Sequence, residues 1–223
     1  MVEPASGSKL NIKGLILFPA VITLAITLLR LAGELAHWSP RFFSAAAGGG
    51  LAIVGISWLP FLFGPYFALK LAGSGHGAAS PWKAFGFALL GLAIMVGGGF
   101  LGFAPQLKFP GKMWVGLLLM VLGACVVTLG WPALFKVLVA YGYAARIPVA
   151  IIMFFAIRGH WGTHYDVLPP NYSGPTSFLG TYMMIAFLPQ MILWIAFTVL
   201  VGALVGTLVA ALVRPGQATA PAA

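Results

Sequence analysis

The stretch FLGTYMMIAFLPQMILWIAFTVLVGALVGTLVAALV, residues 178–213, has no charged side chain from its first residue to its last. As an α-helix it would measure about 54 Å, which exceeds a hydrocarbon core of about 30 Å. Its apolar residues are continuous rather than alternating, and this indicates a helix instead of a barrel strand. We therefore predict a short approach helix, a break at Pro189-Gln190 and a membrane span over residues 190–213.

The composition of the whole chain agrees with a membrane location. Of the 223 residues, 61% are hydrophobic and only 7% are charged, whereas soluble domains contain about 25% charged residues. The net charge of +9 arises because only three residues are acidic, and the basic residues are scattered singly or in pairs. Nucleic-acid binders cluster their basic residues, so we predict the lipid bilayer and no nucleic acid as partner.

The predicted fold is an all-α, polytopic transmembrane helical bundle with about six spans, in a range of five to seven. Several spans contain proline or glycine and are expected to be kinked or interrupted. Residues 14–213 form one transmembrane domain, with a loop over residues 158–177. The predicted spans are residues 14–33, 46–69, 84–104, 113–131, 137–157 and 190–213.

The ends of the chain differ from this domain in composition. Residues 1–13 are polar and are expected to form a flexible lead, and the Pro/Ala-rich residues 214–223 are expected to be disordered. With six spans, the lysines and arginines divide almost evenly between the two sides of the membrane. The slight excess on the N-terminal side places both termini in the cytoplasm of a multi-pass cell-membrane protein.

Arg146 is the first candidate binding residue, because it interrupts an otherwise apolar segment. An arginine at the centre of a membrane helix costs about 2.5–3.5 kcal/mol on insertion scales, so it usually has a function and a partner. The candidate partners are the few nearby acids, Glu34 and Asp166, and the carbonyl of Ala144, which Pro148 leaves without a donor. Alternatively, residues 131–146 form an interfacial or re-entrant helix, with Lys136, Tyr143 and Arg146 on one stripe. Both readings stay open.

The segment His160-x-x-x-His164-x-Asp166 is the second candidate. On a helix the two imidazoles would share a face, and Asp166 could complete a site for a divalent metal ion. Gly159 and Gly162 argue against a regular helix, so the segment could instead be an anchor at the headgroup level. No other cofactor is predicted.

Small residues mark the predicted helix contacts. Gly202, Gly206 and Ala210 in the last span, and Gly98 and Gly102 in the third, follow the small-xxx-small pattern that allows close helix approach. Packing within the bundle satisfies this pattern, and so does a homo-oligomer or a membrane-complex partner at the last span.

Three classes of function follow from these features. The first is a small permease or channel for an anionic or lipid-like solute that binds at Arg146. The second, of nearly equal weight, is a non-catalytic accessory or scaffold subunit, and the third is a metal-dependent enzyme with a His/Asp site at the membrane face. Proton coupling gains no support, because no carboxylate or histidine falls within the predicted spans. The sequence favours a protein that is not an enzyme.

Overall fold

The computed structural model describes residues 10–50, 52–170 and 172–213 and is an all-α bundle. Its helices are α1 (Ile12–Leu35), α2 (Leu59–Gly73), α3 (Pro81–Phe103), α4 (Lys112–Gly130), α5 (Pro132–Gly159) and α6 (Phe178–Val213). All except α2 are long and apolar enough to cross a membrane, so the described residues contain five such helices. The fold is therefore that of a polytopic helical bundle, as the sequence predicts.

The second predicted span differs from the structure, because α2 begins only at Leu59 and has 15 residues. A helix of this length measures about 22 Å, too short for a straight crossing. Residues 46–50 and 52–58 are irregular apart from one short turn at Ala47–Gly49, and Gly48, Gly49 and Gly50 have positive φ angles. The three glycines adopt this backbone readily, and it ends any helix there.

The C-terminal part of α6 is the central element of the bundle, with α2, α3, α4 and α5 packed around it. The predicted break at Pro189-Gln190 is absent, because the helix continues through π-helical turns at Met183–Phe187 and Pro189–Leu193. A wider turn leaves room for a proline without ending the helix.

Close backbone contacts hold the helices together. A Cβ atom on Gly64 of α2 would lie 2.2 Å from the carbonyl oxygen of Gly202 on α6, and Gly206 meets the Gly64 carbonyl in the same way. On α3, Gly98 and Gly102 face Gly116 of α4. The face of α6 that carries Gly202, Gly206 and Ala210 is thus buried inside this chain, and a further partner at the last span stays a prediction.

Most of the predicted lead and all of the predicted tail lie outside the described residues. The described chain starts at Leu10, and α1 begins at Ile12 behind an Asn11 side chain that accepts a hydrogen bond from the Gly14 amide at 3.0 Å. Residues 1–9 and the whole tail, residues 214–223, lie outside the described part.

Candidate functional site

Arg146 lies near the middle of α5, a single helix of 28 residues that continues through Pro148. Its side chain faces the bundle interior and is only 4% exposed, while Tyr143 faces outward and is 40% exposed. The stripe predicted for a helix at the membrane surface therefore does not form. Tyr143 and Arg146 are three positions apart, but the bundle covers only the arginine's side of α5.

The Arg146 guanidinium has few partners for a buried charge. Its Nη1 donates to Oε1 of Gln190 at 3.4 Å, and its Cζ lies over the ring of Trp194, 4.4 Å from the ring centroid. Nε is the one buried side-chain nitrogen or oxygen, among the described residues, that has no hydrogen-bond partner. A guanidinium offers five donors, so this group retains capacity for an anion.

Arg30 is a second buried arginine, and it was not predicted as a site residue from the sequence. It lies inside α1, and Nε donates to Oε1 of Glu34 at 2.7 Å. Its Nη atoms donate at 2.8–3.0 Å to three carbonyls of the irregular segment after α1. A Cβ on Gly49 would approach Nη2 to 3.0 Å, so this segment closes tightly around the guanidinium. The i, i+4 spacing of Arg30 and Glu34 is the signal that could have identified the pair.

Glu34 does not pair with Arg146, contrary to one of the predicted partnerships. Its fully buried carboxylate accepts a hydrogen bond from Nδ1 of His164 at 2.6 Å and another from the His164 amide at 2.8 Å. Together with Arg30, these contacts join the end of α1 to the loop after α5. The contact brings a histidine of that loop to the edge of the bundle interior.

The loop around His164 keeps the imidazole in place. Asp166 accepts hydrogen bonds from the amides of Gly162 and Thr163 at 2.9 and 2.7 Å, and this fixes the turn. The ring of Tyr165 lies 3.9 Å from that of His164, and its hydroxyl donates to the Thr27 carbonyl at 3.3 Å. Burial lowers the pKa of His164, although the hydrogen bond with Glu34 acts in the opposite direction, and burial raises the pKa of Tyr165.

The structure does not bring the three predicted metal ligands together. His160 is exposed and ends α5 in a left-handed conformation, while Asp166 and His164 turn to the different partners described above. Within the described ranges, no group of three His, Cys, Asp or Glu side chains could hold a metal ion. The helical geometry on which the metal hypothesis depends is absent, because α5 ends at Gly159.

A cavity of about 380 Å³ connects these features, and this volume lies within the range of small-molecule pockets. It is bounded by α1, the irregular segment before α2, α5, the loop after α5, and the π-helical part of α6. Its polar lining includes Arg30, Arg146, His164 and Gln190, and apolar side chains such as Met153 and Ile185 lie beside them. Hydroxyl groups also line it, from Thr27, Ser57, Tyr165 and Tyr172. No carboxylate of the described residues lines it, so its charged groups are cationic.

Two lining residues of α6 were missed by the sequence analysis. Gln190 is the only amide side chain between Phe178 and Val213, which is a usable signal, since polar groups inside membrane helices are rare. Trp194 has no such signal, because an aromatic residue is ordinary in an apolar helix. Its contact with Arg146 depends on how α5 packs against α6.

Comparisons with models of protein families, with curated proteins and with solved structures find no match for this chain.

Proposed function

We propose that this chain is a small permease-like membrane protein that binds an anionic, lipid-like solute in the Arg146 cavity. The observation that carries the proposal is the buried Arg146 guanidinium, which lines the cavity with Nε unpartnered. A buried charge without a counterion is unfavourable, and an anion bound in the cavity would supply one.

The remainder of the lining supports an amphiphilic solute over a small inorganic ion. Apolar side chains from α1, α5 and α6 accompany the polar groups, so an acyl or alkyl part could stay out of water. The π-helical turns of α6 lie beside Arg146, and such turns occur frequently at functional sites. They give α6 a local irregularity at the place where a solute would pass.

Binding is tested with the purified protein in a neutral detergent, using dodecyl phosphate as the anionic probe. We expect Arg146→Gln to weaken binding by about 10- to 100-fold, the effect of losing one charge-assisted interaction. Arg158→Gln is the matched control, because Arg158 lies on the same helix but is exposed. Equal affinity in the wild type and Arg146→Gln would refute the proposal.

Movement of a solute is tested separately in proteoliposomes that contain a fluorescent anionic phospholipid, with a membrane-impermeant quencher outside. We expect the accessible fraction to increase faster with the wild type than with Arg146→Gln. Binding without movement would instead support the alternative of an accessory subunit that holds a structural lipid. Co-purification with another membrane protein at fixed stoichiometry would then be the next measurement.

A further inference from the structure

His164 lines the same cavity as Arg146, and only one of its two ring nitrogens has a hydrogen-bond partner within the described part of the chain. A carboxylate can only accept hydrogen bonds, so the 2.6 Å contact between Glu34 Oε1 and His164 Nδ1 requires a proton on Nδ1. In the neutral imidazole, Nε2 is then an acceptor. The lowered pKa of His164 agrees with the neutral form.

Nε2 of His164 is accessible. In the described part of the chain the imidazole uses only Nδ1 for hydrogen bonding, and Nε2 is not among the buried atoms without a partner. The side chain of His164 is 18% exposed and lines the cavity, whereas its partner Glu34 is fully buried behind it. Nε2 is therefore available to a partner from outside the chain.

The cavity thus offers a cationic donor at Arg146 and a neutral acceptor at His164. We propose that its ligand is a hydroxyl-bearing phosphate ester, whose phosphate contacts Arg146 and whose hydroxyl donates to His164 Nε2. This rests on the proposed function, since it specifies the headgroup that the anion site accepts. An ammonium donor fits less well, because Arg30 and Arg146 both line the cavity and would repel a third cationic group.

Two phospholipids that differ only in their hydroxyl groups test this assignment: phosphatidylglycerol and phosphatidylpropanol. Both carry one phosphodiester charge and a three-carbon headgroup. Their affinities for the full-length protein are measured in a neutral detergent at pH 8. We expect phosphatidylglycerol to bind about fivefold more tightly in the wild type, the effect of one hydrogen bond. Equal affinities would overturn the assignment and leave anion binding at Arg146 intact.

His164→Asn identifies the acceptor, because the Asn amide can still donate toward Glu34 from near the position of Nδ1 but has no atom at Nε2. We expect the affinity ratio to fall to about one while phosphatidylpropanol binding is retained. His160→Asn, in the exposed neighbouring histidine, should keep the wild-type ratio. A ratio unchanged in a folded His164→Asn protein would refute the role of His164.

Free glycerol phosphate and propyl phosphate distinguish a lipid headgroup from a soluble ester. If glycerol phosphate displaces phosphatidylglycerol better than propyl phosphate does, the headgroup alone carries the preference. If neither displaces the lipid, the preference requires the acyl chains in the apolar lining. Failure of both phospholipids to bind would count against the proposed function itself, and that outcome differs from equal binding.

Discussion

Replacing Glu34 by Gln should destabilise the protein strongly, because it leaves Arg30 as a buried charge without a counterion. The Glu34 carboxylate is fully buried and accepts from Arg30 Nε at 2.7 Å and from His164 Nδ1 at 2.6 Å. Removing one partner of a buried ion pair costs about 3–5 kcal/mol. For a chain of this size each kcal/mol lowers Tm by about 2–4 °C, so we expect a decrease of about 6–20 °C.

Thermal unfolding of the purified protein in detergent, followed by circular dichroism, measures this effect. Arg158→Gln is the control for removing an exposed charge and should change Tm by about 2 °C or less. The double variant Arg30→Met/Glu34→Leu should be less destabilised than Glu34→Gln, because no unpaired charge remains. A Tm decrease below about 2 °C for Glu34→Gln would refute the reasoning, since it would mean that Arg30 does not need this carboxylate.

Three further predictions concern packing, a buried hydroxyl and pH. Gly64→Ala should lower the free energy of unfolding by about 1–3 kcal/mol, because its Cβ would lie 2.2 Å from the Gly202 carbonyl oxygen. Gly97→Ala on α3 is the control: its Cβ meets no atom within 4 Å, so the change should be neutral or mildly stabilising. Tyr141→Phe should cost about 0.5–1.5 kcal/mol through loss of a 2.8 Å hydrogen bond to α1, and denaturant titration would detect it; an unchanged midpoint would contradict a stabilising role for that bond. Burial lowers the pKa of His164 in the folded state, so the unfolded state binds the proton more readily. Tm should therefore decrease as the pH falls through about 6.5, and it should not change with pH above about 7.5. His164→Asn should flatten this slope, and an identical slope in that variant would assign the effect to another group.

Most of the helices could be predicted from the sequence, because each is a continuous apolar run between polar residues. The exception is the segment before α2, where apolar composition suggested a span over residues 46–69. Its glycines adopt positive φ angles and its carbonyls accept from Arg30, so a polar contact within the chain replaces the helical hydrogen bonds there. Hydropathy alone does not detect such a contact.

The candidate site was only partly predictable for a related reason. Arg146 was identified because a charge within an apolar run is rare, but its neighbours come from elements distant in sequence. His164 was predicted as a metal ligand with His160, whereas it contacts Glu34, 130 residues away. The premise that no carboxylate lies within a span is revised for Glu34, which lies in the last turn of α1. His164 lies outside the helices, as expected, but the loop after α5 brings it to the cavity.

The sequence by itself determined that this chain is an apolar helical bundle with several helices long enough to cross a membrane, because long runs without charge can satisfy their backbone groups only within helices when they face lipid. Only the tertiary structure decided how the two buried arginines are partnered. In the sequence, Arg30 borders one apolar run and Arg146 interrupts another. Arg30 donates four hydrogen bonds, to a carboxylate and three carbonyls, whereas Arg146 lies against Trp194 and its buried Nε has no partner. That difference arises from packing between elements distant in sequence, which local residue patterns do not encode.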